Sequence, residues 1–239
     1  MFATNTRNIP AIAIIVPTRK EYPIMNQTSR SFLALAHQKH ALRFGSFVTK
    51  AGRTSPYFFN SGLFDDGASF RALCGFYADT LLASDVRCDM LFGPAYKGIP
   101  LVAGIAMQLA ERGHNLPFAF NRKEAKDHGE GGTTIGAPLV GRVLIVDDVI
   151  SAGTSVNESV ALLRAAGAEP AGVLIALDRM ERGSNELSAV EEVRQRHNLP
   201  VLAVATLADL LGWLAEEPEL QPHLPAIEQY RRTYGCPSC

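Results

Sequence analysis

An α/β fold, a mostly parallel sheet flanked by helices with a small N-terminal helix and hairpin as a hood, is predicted by three features of the 239-residue sequence. From Phe70 onward helical and strand patterns alternate, as they do where helices cover both faces of a parallel sheet. Val143 to Val146 is a continuous apolar run rich in β-branched side chains, which suits a strand buried on both sides. Ahead of that region, aromatic and β-branched residues flank a glycine-containing turn between Phe44 and Asn60, which reads as an antiparallel hairpin.

In chain order, residues 1–27 are expected to be a disordered extension, or to arise from an upstream start codon. Ile9 to Val16 is apolar but short and bracketed by Pro10 and Pro17, and no small-residue cleavage site follows, so it does not read as a signal peptide. Ser29 to Leu42 carries Phe32, Leu33, Leu35, Ala36 and Leu42 at spacings that predict an amphipathic helix with a serine cap. That helix and the hairpin make a hood over residues 28–66, too small to stand alone and so laid over the main sheet. The core, residues 67–235, opens with a helix at Phe70 to Ala83, a strand at Met90 to Phe92, a helix at Pro100 to Glu111 and a strand at Pro117 to Phe120. The central strand and a helix ending before Gly167 follow. Then come strand Val173 to Leu177, helix Ala189 to His197, strand Val201 to Ala205, and helices Leu207 to Ala215 and Pro225 to Tyr234. Residues 236–239 form a tail.

Composition excludes several classes of function. Lys and Arg total 23 against 24 Asp and Glu, so there is no basic field for nucleic acid, and any anion site has to be local. No apolar run approaches the roughly 18 residues of a membrane span. Cys74, Cys88, Cys236 and Cys239 are too few and too unevenly spaced for a disulfide framework, which points to a reducing cytoplasm. Cys236 and Cys239 have C-x-x-C spacing, but no second pair or close histidine completes a zinc site.

Two acids, Asp147 and Asp148, close the central apolar run. Adjacent carboxylates at the carboxyl end of a buried strand are costly unless paired, hydrogen-bonded or open to a crevice, and in open α/β sheets ligands bind in that crevice. Val149, Ile150, Ser151, Ala152, Gly153, Thr154 and Ser155 follow as a turn of largely small, hydroxyl-bearing residues that leads into a helix. Such a turn aims backbone N–H groups and a helix N-terminus at one anion, a phosphate above all. No lysine follows the glycine as a Walker loop requires, so a monophosphate beside a polyol or a metal held by carboxylates fits better. The plainer alternative is that these residues merely cap the helix.

Three further segments carry candidate chemistry. Gly93 to Gly98 contains Tyr96 and Lys97 in a glycine-rich loop that opens a helix, a possible pyrophosphate loop. Asn121 to Gly136 sets Arg122, Lys123, Lys126 and His128 among four glycines; it is either a solvated charged loop or a flexible lid that closes on an anion. In the lid reading His128 protonates or hydrogen-bonds a departing phosphate. Phe58 and Phe59 are either core residues or flat walls for a planar heterocycle, and Arg179 offers a planar fork that matches a carboxylate.

The central motif resembles the PRPP (phosphoribosyl diphosphate) motif of the type I phosphoribosyltransferases. Lys50 to Asn60, Gly93 to Gly98, Arg122 to Glu130 and Leu177 to Arg179 extend the resemblance, in order and spacing, to the bacterial orotate phosphoribosyltransferases over roughly residues 28 to 234. That resemblance implies transfer of a phosphoribosyl group from Mg²⁺-bound PRPP to orotate, giving orotidine 5′-monophosphate and pyrophosphate in pyrimidine synthesis. It implies that Ser151 to Ser155 bind the 5′-phosphate, with Val149 and Ile150 in the same PRPP-binding run, and that Asp147 and Asp148 bind the ribose hydroxyls. Tyr96, Lys97 and Lys50 would contact the pyrophosphate, and Phe58, Phe59, Ser151 and Arg179 would hold orotate. Lys126, His128, Asp147 and Asp148 would be the catalytic set, with Mg²⁺ held by PRPP and water and not by the protein directly. A homodimer is implied, with Arg122, Lys123, Lys126 and His128 arranged across the two subunits. The competing readings are a purine-base phosphoribosyltransferase, which would not need a carboxylate-binding arginine, and a PRPP-sensing regulator that binds nucleic acid.

Overall fold

The computed structural model describes residues 22, 25–49, 52–126, 132–183 and 186–236. A six-stranded sheet runs in the order β5-β4-β3-β6-β7-β8, formed by β3 (Met90–Gly93), β4 (Phe118–Lys126), β5 (Gly132–Gly136), β6 (Arg142–Val146), β7 (Glu169–Asp178) and β8 (Val201–Thr206). All neighbours in it are parallel except β4 and β5.

Strand alternation in β6 divides the core between two faces. Leu144 and Val146 join a cluster with residues of α1 (Gln27–Gln38), α2 (Gly67–Leu82), α3 (Gly98–Glu111), α6 (Leu207–Glu216) and α7 (Leu224–Tyr234). Val143 and Ile145 join the opposite cluster, with α4 (Thr154–Ala165) and α5 (Ala189–His197). The apolar run is therefore buried on both sides, as its composition predicts. Among the described residues no helix is long and apolar enough to cross a membrane.

The hood is a two-stranded antiparallel sheet of β1 (Leu42–Val48) and β2 (Thr54–Phe59), paired Leu42 to Phe59, beside α1. It is not a loose flap. Phe32 of α1 is fully buried and touches Phe59, Phe64 and Phe76 at ring separations of 5.9, 6.4 and 6.2 Å, inside the same cluster that covers the main sheet. Tyr22 and Met25, assigned by the sequence to an extension, pack against this cluster, and the Tyr22 hydroxyl donates to Glu228 at 2.5 Å. Asn26 and Gln27, also assigned to the extension, cap and open α1, and residues 1–21, 23 and 24 lie outside the described residues.

Several boundaries differ from expectation for identifiable reasons. Helix α1 starts earlier than predicted, because the Asn26 side chain accepts from Ser29 N–H at 2.8 Å and so supplies the cap assigned to serine. Ser29 instead donates its hydroxyl to the Val204 carbonyl at 2.8 Å and ties α1 to β8. The helix stops at Gln38, and Leu42 begins β1. The expected strand ending at Phe120 continues to Lys126 and pairs with β5, so both flanks of the anticipated glycine-rich arm are strands. Residues 127–131 of that arm, His128 included, lie outside the described residues. Cys74 and Cys88 are free, whereas Cys236 is disulfide-bonded, so the expectation that the cysteines form no disulfide does not hold at the C-terminal end.

Truncating Phe32→Ala is expected to lower the unfolding free energy by about 3–5 kcal/mol in a single cooperative urea transition, because the cavity opens in a core shared by hood and sheet. A separate early transition of the hood would contradict this.

Candidate active site

The order in which strands are added reverses between the parallel neighbours β3 and β6. From β3 the chain crosses to β4 on one side, and from β6 to β7 on the other, so the loops that follow these two strands diverge and leave a crevice at their carboxyl ends. Tight packing of β3 against α3 shapes the first loop. A Cβ on Gly93 would lie 2.1 Å from the Gly98 carbonyl oxygen, and one on Gly98 would lie 2.7 Å from Pro94 Cδ, so neither position accepts a larger residue without displacing the loop. Ala95 N–H donates to Asn121 Oδ1 at 2.7 Å, and the Ala95–Tyr96 peptide is cis. Tyr96 is largely exposed, and Lys97 reaches back over the crevice.

Asp147 and Asp148 line the floor, with relative exposures of 9% and 6% that forbid an unpartnered charge. Asp148 Oδ2 accepts from Lys97 Nζ at 2.5 Å and from Ser61 Oγ at 2.7 Å. Ser61 opens a 3-10 turn (Ser61–Leu63) just after β2, so the hood meets the main domain at this carboxylate. Asp147 Oδ1 accepts from Asp148 N–H at 2.9 Å and Oδ2 from Ser155 Oγ at 3.0 Å, while Tyr77 Oη donates to the Asp147 carbonyl at 3.0 Å. Burial pushes the Asp147 carboxyl up to about 6, opposed by the Asp148 N–H bond and reinforced by the charge of Asp148.

The turn into α4 argues against a mere cap. Gly153, at φ +71° where other residues are strained, takes the N-cap position with no side-chain cap hydrogen bond, and Ser155 spends its hydroxyl on Asp147. First-turn N–H groups, for which Gly153 supplies no side-chain acceptor, and the positive end of the helix dipole therefore face the crevice beside exposed Ser151, Ala152 and Thr154. Val149 and Ile150 are half-buried and anchor the turn to opposite core clusters.

Arg179 follows β7, parallel to β6, and so stands on the same rim as Thr154. Its guanidinium lies 4.7 Å from the Tyr57 ring centroid, its Nη2 donates to Ser55 Oγ at 3.2 Å, and its Nε donates to Glu181 Oε1 at 2.8 Å. The fork expected to meet a carboxylate is thus partly occupied. Adjacent side chains alternate across a strand. Phe59 packs on Phe32, whereas Phe58 stacks on Phe47 at 5.5 Å with Arg43 beside it. The two rings are not a matched pair of walls.

Of the remaining predicted residues, Arg122 is half-buried on β4, and Lys123 and Lys126 are on the same strand with side chains outside the described set. Lys50 and His128 lie outside the described residues. Ser61, Asn121 and Glu181 were missed as site residues: a lone serine after a strand, an asparagine before a charged run and a glutamate beside an arginine carry no spacing signal. Among the described residues there is no group of three or more His, Cys, Asp or Glu that could cage a metal. The paired carboxylates at the crevice suit a hard cation that arrives on phosphate oxygens and keeps its waters.

Fold and crevice together define an α/β protein that offers a backbone anion cradle beside two buried acids at a topological switch point. A family model for the phosphoribosyl transferase domain matches residues 65–202. An orotate phosphoribosyltransferase of Chromobacterium violaceum is 65% identical over 211 residues, covering 88% of this chain and 99% of that protein. One from Laribacter hongkongensis is 64% identical over the same shares. The crystal structure of orotate phosphoribosyltransferase from Francisella tularensis superposes with a TM-score of 0.79 at 41% identity, covering 86% of this chain and 99% of that one. The chain belongs to the orotate phosphoribosyltransferase family of the phosphoribosyltransferases.

The raised carboxyl of Asp147 sets a sign. The folded protein holds a proton there that the unfolded chain releases near 3.8, so this contribution to stability is lost as pH rises through about 6. Asp147→Asn is therefore expected to gain on the wild type by about 2 kcal/mol between about pH 4 and pH 7, measured by urea unfolding. The pH-independent cost of the amide cancels in that comparison. A difference flat with pH would contradict the assignment.

Proposed function

We propose that this crevice transfers the 5-phosphoribosyl group of PRPP to orotate, releasing pyrophosphate and giving orotidine 5′-monophosphate for UMP synthesis. The observation that carries the reading is the junction at Asp148, where Lys97 from the β3 loop and Ser61 from the hood share one buried carboxylate beside the open N-terminus of α4. Residues 151–155 would hold the 5′-phosphate, and Asp147 and Asp148 would take the ribose hydroxyls. Tyr96, Lys97 and Lys50 would meet the pyrophosphate, and Ser151, Arg179 and one face of β2 at Phe58 and Phe59 the base.

Forming the C–N bond at the anomeric carbon proceeds through an oxocarbenium-like state as pyrophosphate departs, so the chief demand is stabilisation of charge on the leaving group. Lys97 is suited to this, since the arriving ribose competes for Asp148 and frees its ammonium for the diphosphate. Arg122, Lys123, Lys126 and His128 would add further positive charge and a proton donor. Mg²⁺, carried in on PRPP oxygens and facing the Asp147–Asp148 rim, would neutralise diphosphate charge when bound. A homodimer in which these four residues are shared between subunits is part of the proposal and rests on the family resemblance. A cytoplasmic setting is supported by the free thiols of Cys74 and Cys88, with the disulfide at Cys236 standing on the other side. A purine base carries no carboxylate and would leave Arg179 without a ligand.

Mixing the protein with orotate, PRPP and Mg²⁺ is expected to bleach the orotate absorbance, with no change when PRPP is withheld. Arg179→Ala is expected to raise the orotate KM about tenfold or more while the PRPP KM stays within a few fold. Equal effects on both substrates would remove Arg179 from the base site.

A further inference from the structure

The surroundings of Arg179 contain more than a base-binding arginine requires. Glu181 Oε1 accepts from Arg179 Nε at 2.8 Å and lies 2.7 Å from Nη2 in an ion pair, and the Tyr57 hydroxyl donates to the same oxygen at 3.3 Å. Both members of the ion pair are largely withdrawn from solvent, with side-chain exposures of 22% and 16%. A buried pair in this setting is retained at a desolvation cost that good geometry has to offset. The backbone of Glu181 is fixed in turn by a bridge to Gly235 at the end of α7, and Arg182 N–H donates to the Tyr234 carbonyl at 2.8 Å. Met180, between the two charged residues and just past the end of β7 at Asp178, has φ +52°.

The consequence is geometric. Glu181 occupies the Nε edge of the guanidinium, Ser55 takes a second donation from Nη2, and the Tyr57 ring supports one face. Among the described residues, Nη1 has no hydrogen-bond partner. We propose that Glu181 is a positioning residue for base selection: it clamps Arg179 on Tyr57 so that the Nη1 end, not the Nε edge, meets the carboxylate of the substrate. Because the pair is neutral overall, recognition comes from the fixed direction of the remaining N–H donors more than from net charge. This inference rests on the proposed assignment of Arg179 to orotate.

Steady-state kinetics of Glu181→Ala and Glu181→Gln, each with orotate and with PRPP as the varied substrate, test it. The alanine variant is expected to raise the orotate KM about tenfold, with kcat and the PRPP KM within about threefold of the wild type. The glutamine variant keeps an oxygen that accepts from Arg179 and Tyr57, and is expected to recover the orotate KM to within about threefold. An orotate KM unmoved in Glu181→Ala, a PRPP KM that rises equally, or a glutamine variant as impaired as alanine overturns the proposal. Where alanine does not fold, Glu181→Asp withdraws the carboxylate by one methylene at constant charge and is expected to show the same split. A wild type that consumes orotate beside an unaffected Glu181→Ala sinks this inference alone; a wild type that ignores orotate sinks the functional reading with it.

Discussion

A buried carboxylate has to be neutralised, and Asp148 meets that demand with groups drawn from two other parts of the chain. Its Oδ2 takes Lys97 from the loop after β3 and Ser61 from the end of the hood, while the Asp148 carbonyl accepts from Ala176 of β7 at 2.9 Å. Leaving such a charge buried without partners would cost several kcal/mol, so these segments are held together by electrostatic necessity as well as by packing. The same contacts collect the working surfaces on one rim. The loop bearing Lys97 meets Asp148, the turn at residues 151–155 meets the neighbouring Asp147 through Ser155, and the hood face carrying Ser55 and Tyr57 meets Arg179 on the same rim.

Lys97 holds Asp148 by a direct ion pair, so a polyol that takes this carboxylate has to displace the ammonium. Asp147 is held differently, by the Asp148 N–H and Ser155, with Tyr77 on its carbonyl from below. The two acids are neighbours with distinct surroundings, which is how adjacent identical groups come to do different work.

Much of this was legible in the sequence because it depends on local chemistry. A β-branched run ending in two acids and a glycine turn has few physical solutions, and Val143 to Ser155 adopts the expected one. Features set by distant contacts were not legible. The extension of β4 to Lys126 goes with pairing to β5 at Asn121 and Lys126, since the charged run carries no apolar alternation. The role of Ser61 depends on an acid 87 residues away. The role of Glu181 depends on its pairing with the Arg179 guanidinium, which no spacing in the sequence marks. Phe58 and Phe59 look like a paired wall in one dimension, but adjacency in a strand sends them to opposite faces.

The most direct test of this account is the structure of the protein with orotidine 5′-monophosphate bound. The account requires the phosphate on residues 151–155, the ribose hydroxyls on Asp147 and Asp148 with Lys97 Nζ released from Asp148, and the base carboxylate at the Nη1 end of Arg179. A phosphate seated in the loop after β3 with Lys97 still on Asp148, or a base remote from Arg179, would contradict it.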